Sequence, residues 1–526
     1  VQTAVLQENG YSTKPEEHKT PIVIVGTGPV GIRTAQVLLR LSPDAPIVQY
    51  GAEPWMPYNR AKLSSLLAGE ITTLDIQNEL QANHENHVAQ HHNCAITGID
   101  RINSCVIDSR GHRQPYSKLI LAVGSSAHIP SIPGLDNPNI FTLRNLSDVQ
   151  QLIARRVRSR RTVVVGGGLL GLEAARAMQK NNTEVVVIEH NSRLLQQQLD
   201  ETSAELLREH LMQLGIKFYL KTTIKKFEGN GSNHYIYLTS GKTIVCDTIV
   251  IAAGIKPNIK LALHAGLHVG RGIKVNNSMQ TSDRSIYAVG ECAEHKGNIY
   301  GLVAPGMEQA SIAAHHISGE DVVYRGSVSV TKLKIVDKSV FSIGVVGDDI
   351  DPTYHRQLTY QDHSKGIYRT LILQRYKVIG AIALGPWSHV TRLQEMVTHQ
   401  RILYPWQIYR FEKFGDIWNE ERCTNIAFWP AKAVVCNCSN VTRGEITKAI
   451  TQGNVSLDAI TKSTGASTVC GSCRPIVSQL TDSESKEVVP IKGITAIAIL
   501  AVTGFLALLL FQGIPAANAV LLSIIH

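Results

Sequence analysis

Polar and apolar positions along the chain alternate in a strand, glycine turn and helix pattern that occurs twice. Residues 21–25 (PIVIV) form a short apolar run that predicts a buried parallel strand. A glycine turn and a helical pattern from Ile32 to Leu41 follow, then a second strand, IVQY. This is the opening of a βαβ unit. An apolar run from about 119 (LILAVG) ends in the turn-rich SSAHIPSIPG. At 162 the pattern restarts: TVVVGGGLLGLEAARAM predicts strand, turn and helix, and EVVVIE the next strand. The later run TIVIAAGIKPN resembles LILAVGSSAHIP in type and position. Two similar units are expected, the second inserted into the first, because residues 281–310 return to the first unit's pattern. From about 327 to 425, strand-like alternation (KLKIV, VFSIGVV, IYRTLILQRYKVIGAIAL) predicts a third, mixed α+β unit.

Composition changes this picture little. With 526 residues the chain exceeds one ordinary domain, and 44% hydrophobic with 18% charged residues is a globular balance. The net charge of +9 invites a nucleic-acid reading, but the basic residues are scattered. The densest run, Arg155 to Arg161, reads as a solvated helix face, and no nucleic-acid partner is expected. A basic surface instead suits an acidic partner protein or anionic lipid. Residues 1–20 carry no periodic pattern and read as a flexible tail. Of nine cysteines, Cys94, Cys105, Cys246, Cys292 and Cys423 are spread singly, and four fall in two close pairs. With no secretory signal at the N-terminus, a disulfide framework is not expected.

The first turn, GTGPVG, sets Gly26, Gly28 and Gly31 in G-x-G-x-x-G between strand and helix. Such glycines allow a tight turn, close approach to pyrophosphate and close helix–strand packing, with the helix N-terminus facing the phosphates. Glu53 is the nearest acid after the second strand and the candidate for the ribose hydroxyls. The second turn, GGGLLG, repeats the spacing with Gly166, Gly168 and Gly171. The strand after it ends at Glu189, where a carboxylate accepts both ribose hydroxyls of NADH and repels the extra phosphate of NADPH, so NADH is favoured. Two dinucleotide sites in one chain have a chemical reason. A flavin accepts a hydride from a nicotinamide and releases electrons singly, so one site for FAD and one for NAD(P)H is the economical assignment.

On GTGPVG, PYNRAKLSS, YSKLILAVGSSAHIPSIPG, GGGLLGLEAARAM and SIYAVGEC, residues 21 to about 320 resemble the pyridine-nucleotide-dependent flavoprotein reductases of the glutathione-reductase fold. Within that group, PYNRAKLSS, GECAEHKGNIYGL and the unit after 327 look most like the large subunit of NAD(P)H nitrite reductase and rubredoxin-reductase-like relatives. The resemblance implies an α/β protein with two Rossmann-like nucleotide-binding domains. It puts Arg60 and Ser64 near the flavin, Gly124 and Glu291 in contact with FAD, and Glu173 close to the nicotinamide and flavin ring, as the candidate catalytic residue. There are departures. Ala122-Val123-Gly124 stands where many relatives have ATG. Ser65 stands where ferredoxin-reductase relatives have Lys after Leu-Ser, with Lys62 nearby but out of place. An acid is common at the position of Ala52. No C-x4-C redox disulfide is present in the first unit, which argues against thiol–disulfide chemistry there.

Cys436, Cys438, Cys470 and Cys473 give C-x-C, a helical stretch, then C-x2-C. Four thiolates in two short-spaced pairs suit tetrahedral zinc or an iron–sulfur cluster. The module resembles the bacterioferritin-associated-ferredoxin-like domain through VCNC, CGSC and the helical stretch between, and that resemblance implies a [2Fe-2S] cluster. The paired cysteines of a siroheme domain are absent, so the chain is not expected to reduce nitrite by itself.

Ile494 to Phe511 is an uncharged run of 18 residues. At a rise of 1.5 Å per residue it spans roughly 27 Å, about a bilayer core. Lys486 and Lys492 precede it and no Lys or Arg follows, so the expected location is the cytoplasmic face of a bacterial inner membrane with one or more C-terminal helices. The expected organisation is a tail at 1–20, an FAD domain at 21–145 and 275–325, an NAD(P) domain at 146–274 and an α+β domain at 326–425. A [2Fe-2S] module at 432–481, a linker at 482–492 and a membrane segment at 493–526 complete it. The expected activity is an NAD(P)H:acceptor oxidoreductase that passes electrons from NADH through FAD and the cluster to a one-electron acceptor protein or membrane domain. The rivals are an electron-transfer subunit of nitrite or nitrate assimilation, a redox-sensing flavoprotein with little turnover, and a flavoprotein with a structural zinc.

Overall fold

Two five-stranded, all-parallel sheets carry the N-terminal two-thirds of the chain. The computed structural model describes residues 20–77, 88–135, 140–179, 183–230, 233–335, 338–418, 426, 429–436, 441–467 and 473–484. In the first sheet Ile22–Val25 is central, with Ile47–Tyr50 and Val88–His91 on one side and Lys118–Leu121 and Ile286–Ala288 on the other. In the second, Arg161–Val165 is central, with Glu184–Ile188 and Ile216–Tyr219 on one side and Thr248–Ile251 and Ile140–Phe141 on the other. All four residues of Ile22–Val25 are buried, because helices cover both faces of a parallel sheet; hence the unbroken apolar run. The fifth strand of the first sheet follows the whole of the second sheet in sequence, so the chain leaves the first sheet, builds the second and returns.

The helices after the two central strands start alike. Gly28 caps Pro29–Leu41, with Pro29 at the first helical position, where its missing N–H costs nothing. Ile32, Ala35, Leu38 and Leu39 make its buried face, and Ser42, just before Pro43, leaves the helical region and ends it. Gly168 caps Leu169–Met178 in the same way.

One expected boundary needs correction. The first unit was expected to run to residue 145, yet Ile140–Phe141 pairs with Ile249 and Val250 of the second sheet. A two-residue strand has no alternation to read. The similar runs after each fourth strand meet: Ser125–Ala127 pairs antiparallel with Ile255–Pro257 and ties the units together.

The third unit is a five-stranded antiparallel sheet in the order Val330–Ile335, Lys338–Gly344, Lys377–Leu384, Ile367–Gln374, His355–Asp362. Phe341, Ile343, Leu371, Leu373, Ala381 and Ala383 face helices Val390–Thr398 and Pro405–Phe414. Val340, Ile372, Ile382 and Leu384 alternate with them and join a core shared with both nucleotide-binding units. Burial on both faces explains why these central strands read as near-continuous apolar runs. A small module follows, with a hairpin of Val434–Cys436 and Val441–Thr442 and helices Arg443–Thr451, Leu457–Thr464 and Arg474–Glu484.

The expected placement at an inner-membrane face is also corrected. Among the described residues no helix is long and apolar enough to cross a membrane. The run that suggested a span, Ile494 to Phe511, lies outside the described residues.

Candidate functional site

The two glycine turns have the same steric logic. At Gly26, φ is +126°, and a Cβ would stand 2.2 Å from the Ala122 carbonyl oxygen of the neighbouring strand's end. At Gly31 a Cβ would stand 2.1 Å from the Gly26 oxygen. In the second turn Gly166 (φ +114°) would meet the Ala252 oxygen at 2.4 Å, and Gly171 the Gly166 oxygen at 2.0 Å. The outer glycines are thus demanded by the fold. The middle ones are not: a Cβ on Gly168 would meet nothing within 4 Å, and one on Gly28 only Arg60 Nε at 3.7 Å. A methyl at either position would fill the cradle before a helix N-terminus, so both turns fit a dinucleotide pyrophosphate.

Around the first turn a polar network joins distant segments. Glu53 is paired with Arg60 and accepts from the Tyr58 hydroxyl at 2.6 Å. Tyr58 in turn accepts from the Leu146 N–H at 3.0 Å, and burial pushes its phenol above the ordinary range. Arg60 Nη1 donates to the Arg144 carbonyl at 3.2 Å, and Arg144 Nη2 donates to Glu291 at 2.7 Å. Ser125 donates to the same Glu291 oxygen at 2.5 Å. Gly124, at φ +62° with open space where a Cβ would lie, is the neighbour of Ser125. Glu53, Arg60 and Glu291 therefore belong to one network, with Gly124 beside its Ser125, and Glu53 already has two partners. A carboxylate has about four lone-pair sites, so room remains for ribose hydroxyls. Sequence reading missed Tyr58, Ser125 and Arg144. Arg144 gave no signal: it is a single basic residue ahead of the Asn145 cap of helix Leu146–Arg156.

Around the second turn Glu189 is buried at the end of its strand. It accepts from the Gly167 N–H at 2.6 Å and the Asn191 N–H at 2.8 Å, and His190 Nδ1 lies 2.9 Å from it. The loop beyond packs back on the turn, with Leu195 N–H donating to the Gly167 carbonyl at 3.1 Å. Arg193 in that loop donates to Leu199 O at 3.1 Å and to Asp348 of the third unit at 2.5 Å.

Glu173 lies on helix Leu169–Met178, against helix Leu63–Ala68 of the first unit. Burial pushes its carboxyl above the usual range, the Ser64 hydroxyl pulls it down, and Glu70 adds to the upward shift. Ser64, next to the Ser65 that stands at the relatives' lysine position, is thus a group that meets Glu173.

In the small module Cys436 and Cys473 are both buried in one apolar cluster with Ile446, Ile460 and Val477. Cys473 caps helix Arg474–Glu484, its carbonyl accepting from the Val477 N–H at 2.9 Å. Cys438 and Cys470 lie outside the described residues. Two buried thiols converging in one cluster, each with a further cysteine two or three residues away, fit a four-thiolate centre. The single cysteines differ: burial pushes the Cys292 thiol up to about 11 and the Cys246 thiol up to about 12, so both stay protonated.

Three known families match successive parts of the chain. The family described as pyridine nucleotide-disulphide oxidoreductase matches residues 20–316. The rubredoxin NAD+ reductase C-terminal domain matches residues 330–401, and the BFD-like [2Fe-2S] binding domain residues 434–482. The assimilatory nitrate reductase electron transfer subunit of Bacillus subtilis is 36% identical over 468 residues, covering 88% of this chain and 59% of that protein. The rubredoxin-NAD(+) reductase of Acinetobacter baylyi is 31% identical over 384 residues, covering 69% of this chain and 95% of its own. Among solved structures, a ferredoxin reductase from Rhodopseudomonas palustris superposes with a TM-score of 0.68 at 22% identity, over 74% of this chain and 97% of that one. The chain spans between 44% and 59% of the length of the nitrate- and nitrite-reductase relatives that it matches over 87–89% of its own length.

Proposed function

The chain belongs to the pyridine nucleotide-disulphide oxidoreductase family, and from that membership we propose that it oxidises NADH and delivers electrons singly to an acceptor protein. The family carries FAD and NAD(P)H, and the module at the C-terminal end carries a [2Fe-2S] centre. When bound, FAD takes a hydride from a nicotinamide and gives up electrons one at a time, and a [2Fe-2S] cluster takes them one at a time.

The observation that carries this reading is the arrangement of the chain itself. Two parallel sheets, each with a glycine turn after its central strand, precede a module with two cysteine pairs. The N-termini of helices Pro29–Leu41 and Leu169–Met178 offer N–H groups and a positive end to the two pyrophosphates. In this reading Arg60, Gly124 and Glu291 line the flavin nucleotide and Glu53 meets its ribose. Glu189 accepts the ribose hydroxyls of NADH and repels a 2′-phosphate, which makes NADH the substrate. Glu173 and Ser64 stand beside the reacting rings. Burial shifts the Glu173 carboxyl toward its neutral form, while the Ser64 hydroxyl favours the charged one. Cys436, Cys438, Cys470 and Cys473 hold the iron. No two cysteines of the chain are spaced C-x4-C, so the acceptor is not a disulfide of the nucleotide-binding units.

A second reading narrows the acceptor. The Bacillus subtilis relative is named as the electron transfer subunit of an assimilatory nitrate reductase, which favours a nitrogen-oxide-reducing partner enzyme. The test is NADH oxidation by the purified full chain with ferricyanide, and with a nitrate- or nitrite-reducing enzyme added. NADH-dependent turnover with a one-electron acceptor is expected. Nitrate or nitrite consumption that appears only with the partner selects the second reading. Absence of NADH oxidation with every acceptor refutes both.

A further inference from the structure

We propose that Asp348 is a positioning residue for coenzyme selection: from the third unit it holds Arg193 inside the loop after Glu189 and so withholds that cation from the 2′-phosphate of NADPH. The inference deepens the function proposed above and rests on its assignment of the second glycine turn to the nicotinamide nucleotide.

The loop after Glu189 closes on the glycine turn at the ribose end of that site. A Cβ on Gly167 would stand 2.8 Å from Leu194 Cδ2 and 3.1 Å from Glu189 Oε2, so loop and carboxylate meet at one point of the turn. Arg193 directly precedes Leu194 and is the only Lys or Arg between Glu189 and Asp200. An arginine beside the ribose acid is the group that accommodates a 2′-phosphate. Here its guanidinium is engaged elsewhere. Nε donates to Leu199 O at 3.1 Å, and Nη2 donates to Gln196 O at 3.3 Å and to Asp348 Oδ1 at 2.5 Å. The side chain is only 14% exposed, so it is packed into the loop rather than reaching into solvent. The other Asp348 oxygen accepts from Gln196 Nε2 at 2.5 Å, so both carboxylate oxygens are bound to the loop.

Asp348 arrives on the short turn Gly347–Asp349, between strands Lys338–Gly344 and His355–Asp362 of the third unit. Gly347 has φ +60°, and a Cβ on it would stand 2.5 Å from Gln196 O, so a glycine is what lets this turn seat against the loop. Among the described residues no other acid pairs with Arg193. Paired, Arg193 and Asp348 bring no net charge to the loop, and Glu189 is left to repel a 2′-phosphate. With Asp348 removed, Arg193 keeps two neutral carbonyls as acceptors. A phosphate, which matches the guanidinium fork and carries the opposite charge, is then the stronger partner. A choice that looks local to one loop is thus set in part by a residue 155 positions away.

The experiment uses the full, flavin-loaded chain. Titration calorimetry with adenosine 2′,5′-bisphosphate and with AMP reads the 2′-phosphate directly, and kcat/KM for NADPH and NADH with ferricyanide reads turnover. Asp348→Ala is expected to favour the bisphosphate over AMP by about tenfold more than wild type does, the worth of one charge-assisted bond, and to shift kcat/KM toward NADPH by a similar factor. Arg193→Ala alone is expected to bring no gain with either phosphorylated nucleotide. Adding Arg193→Ala to Asp348→Ala is expected to abolish the gain. A merely structural Asp348 would weaken all these nucleotides together and produce no gain. If Asp348→Ala fails to fold by circular dichroism, Asp348→Asn, which keeps the size and removes the charge, decides by the same ratios. Unchanged ratios in a folded Asp348 variant overturn the proposal. So do a gain that survives the loss of Arg193 and a wild type that prefers NADPH. Wild-type protein that oxidises neither coenzyme with any acceptor is a different result, which sinks the functional reading itself.

Discussion

Two alanine substitutions in one turn separate what the fold requires from what the nucleotide requires. In Gly171→Ala the new Cβ stands 2.0 Å from the Gly166 oxygen and 3.0 Å from its carbon. Comfortable non-bonded separation is roughly 3.5 Å, so helix and turn must part by more than about 1 Å. Overpacking of this kind costs about 1–3 kcal/mol, offset by the roughly 0.5–1 kcal/mol that alanine gains over glycine in a helix. At about 2–4 °C per kcal/mol for a unit of 150–250 residues, the thermal midpoint should fall by several degrees. Gly168→Ala differs in every respect. Its φ is −79°, no atom lies within 4 Å of the new Cβ, and stability should hold. The methyl projects toward the cradle, so KM for NADH should rise about tenfold, equivalent to about 1.4 kcal/mol of lost binding. Thermal unfolding by circular dichroism and NADH:ferricyanide kinetics measure the two effects. A Gly168→Ala protein with wild-type KM, or one that loses stability as Gly171→Ala does, refutes the assignment of the middle glycine to pyrophosphate.

Glu189→Ala should raise KM for NADH about tenfold and narrow the preference over NADPH, read as kcat/KM for each; an unchanged ratio would falsify its ribose role. Because burial raises the Glu173 carboxyl above its ordinary 4.5, its contribution to stability is fully present below the unfolded value and is lost as pH rises through the folded one. Glu173→Gln should therefore gain on wild type in thermal midpoint as pH rises through that window, and a constant difference contradicts it. Ser64→Ala removes the group that pulls Glu173 down, so the limb of the flavin-reduction pH profile that follows this carboxyl should move to higher pH. Asp348→Ala releases Arg193 and Gln196 from the third unit and should weaken NADH binding a few-fold in equilibrium titration. Cys436→Ser and Cys473→Ser should lose iron by elemental analysis while NADH still bleaches the flavin.

What could be read from the chain follows the range of the interactions. The glycine spacings and cysteine pairs are local, and so are the apolar runs of Ile22–Val25 and Arg161–Val165. Contacts across long separations left no trace. Arg60 meets the carbonyl of Arg144, 84 residues away, and Arg144 meets Glu291, 147 residues further on. Arg60 and Glu291 sit in single short 3-10 turns and Arg144 in a loop, with nothing to link them until the fold brings them together. Ile140–Phe141 is too short to show alternation, and the fourth strand of the second sheet, not its own sequence, assigns it. The C-terminal run, Ile494 to Phe511, lies outside the described residues, and among those residues no helix is long and apolar enough to cross a membrane. The Ser64–Glu173 pairing shows a third case, in which a departure from a familiar motif was visible but its consequence was not. Only the packing of helix Leu63–Ala68 on Leu169–Met178 reveals that Ser64 meets Glu173.

The central claim is that one chain joins NADH oxidation to a one-electron carrier. Anaerobic addition of NADH to the purified full chain, followed by low-temperature EPR and iron and zinc analysis, tests it most directly. The account predicts flavin bleaching together with a rhombic [2Fe-2S] signal in iron-containing protein. Bleached flavin without that signal, in protein that contains zinc and no iron, would contradict it.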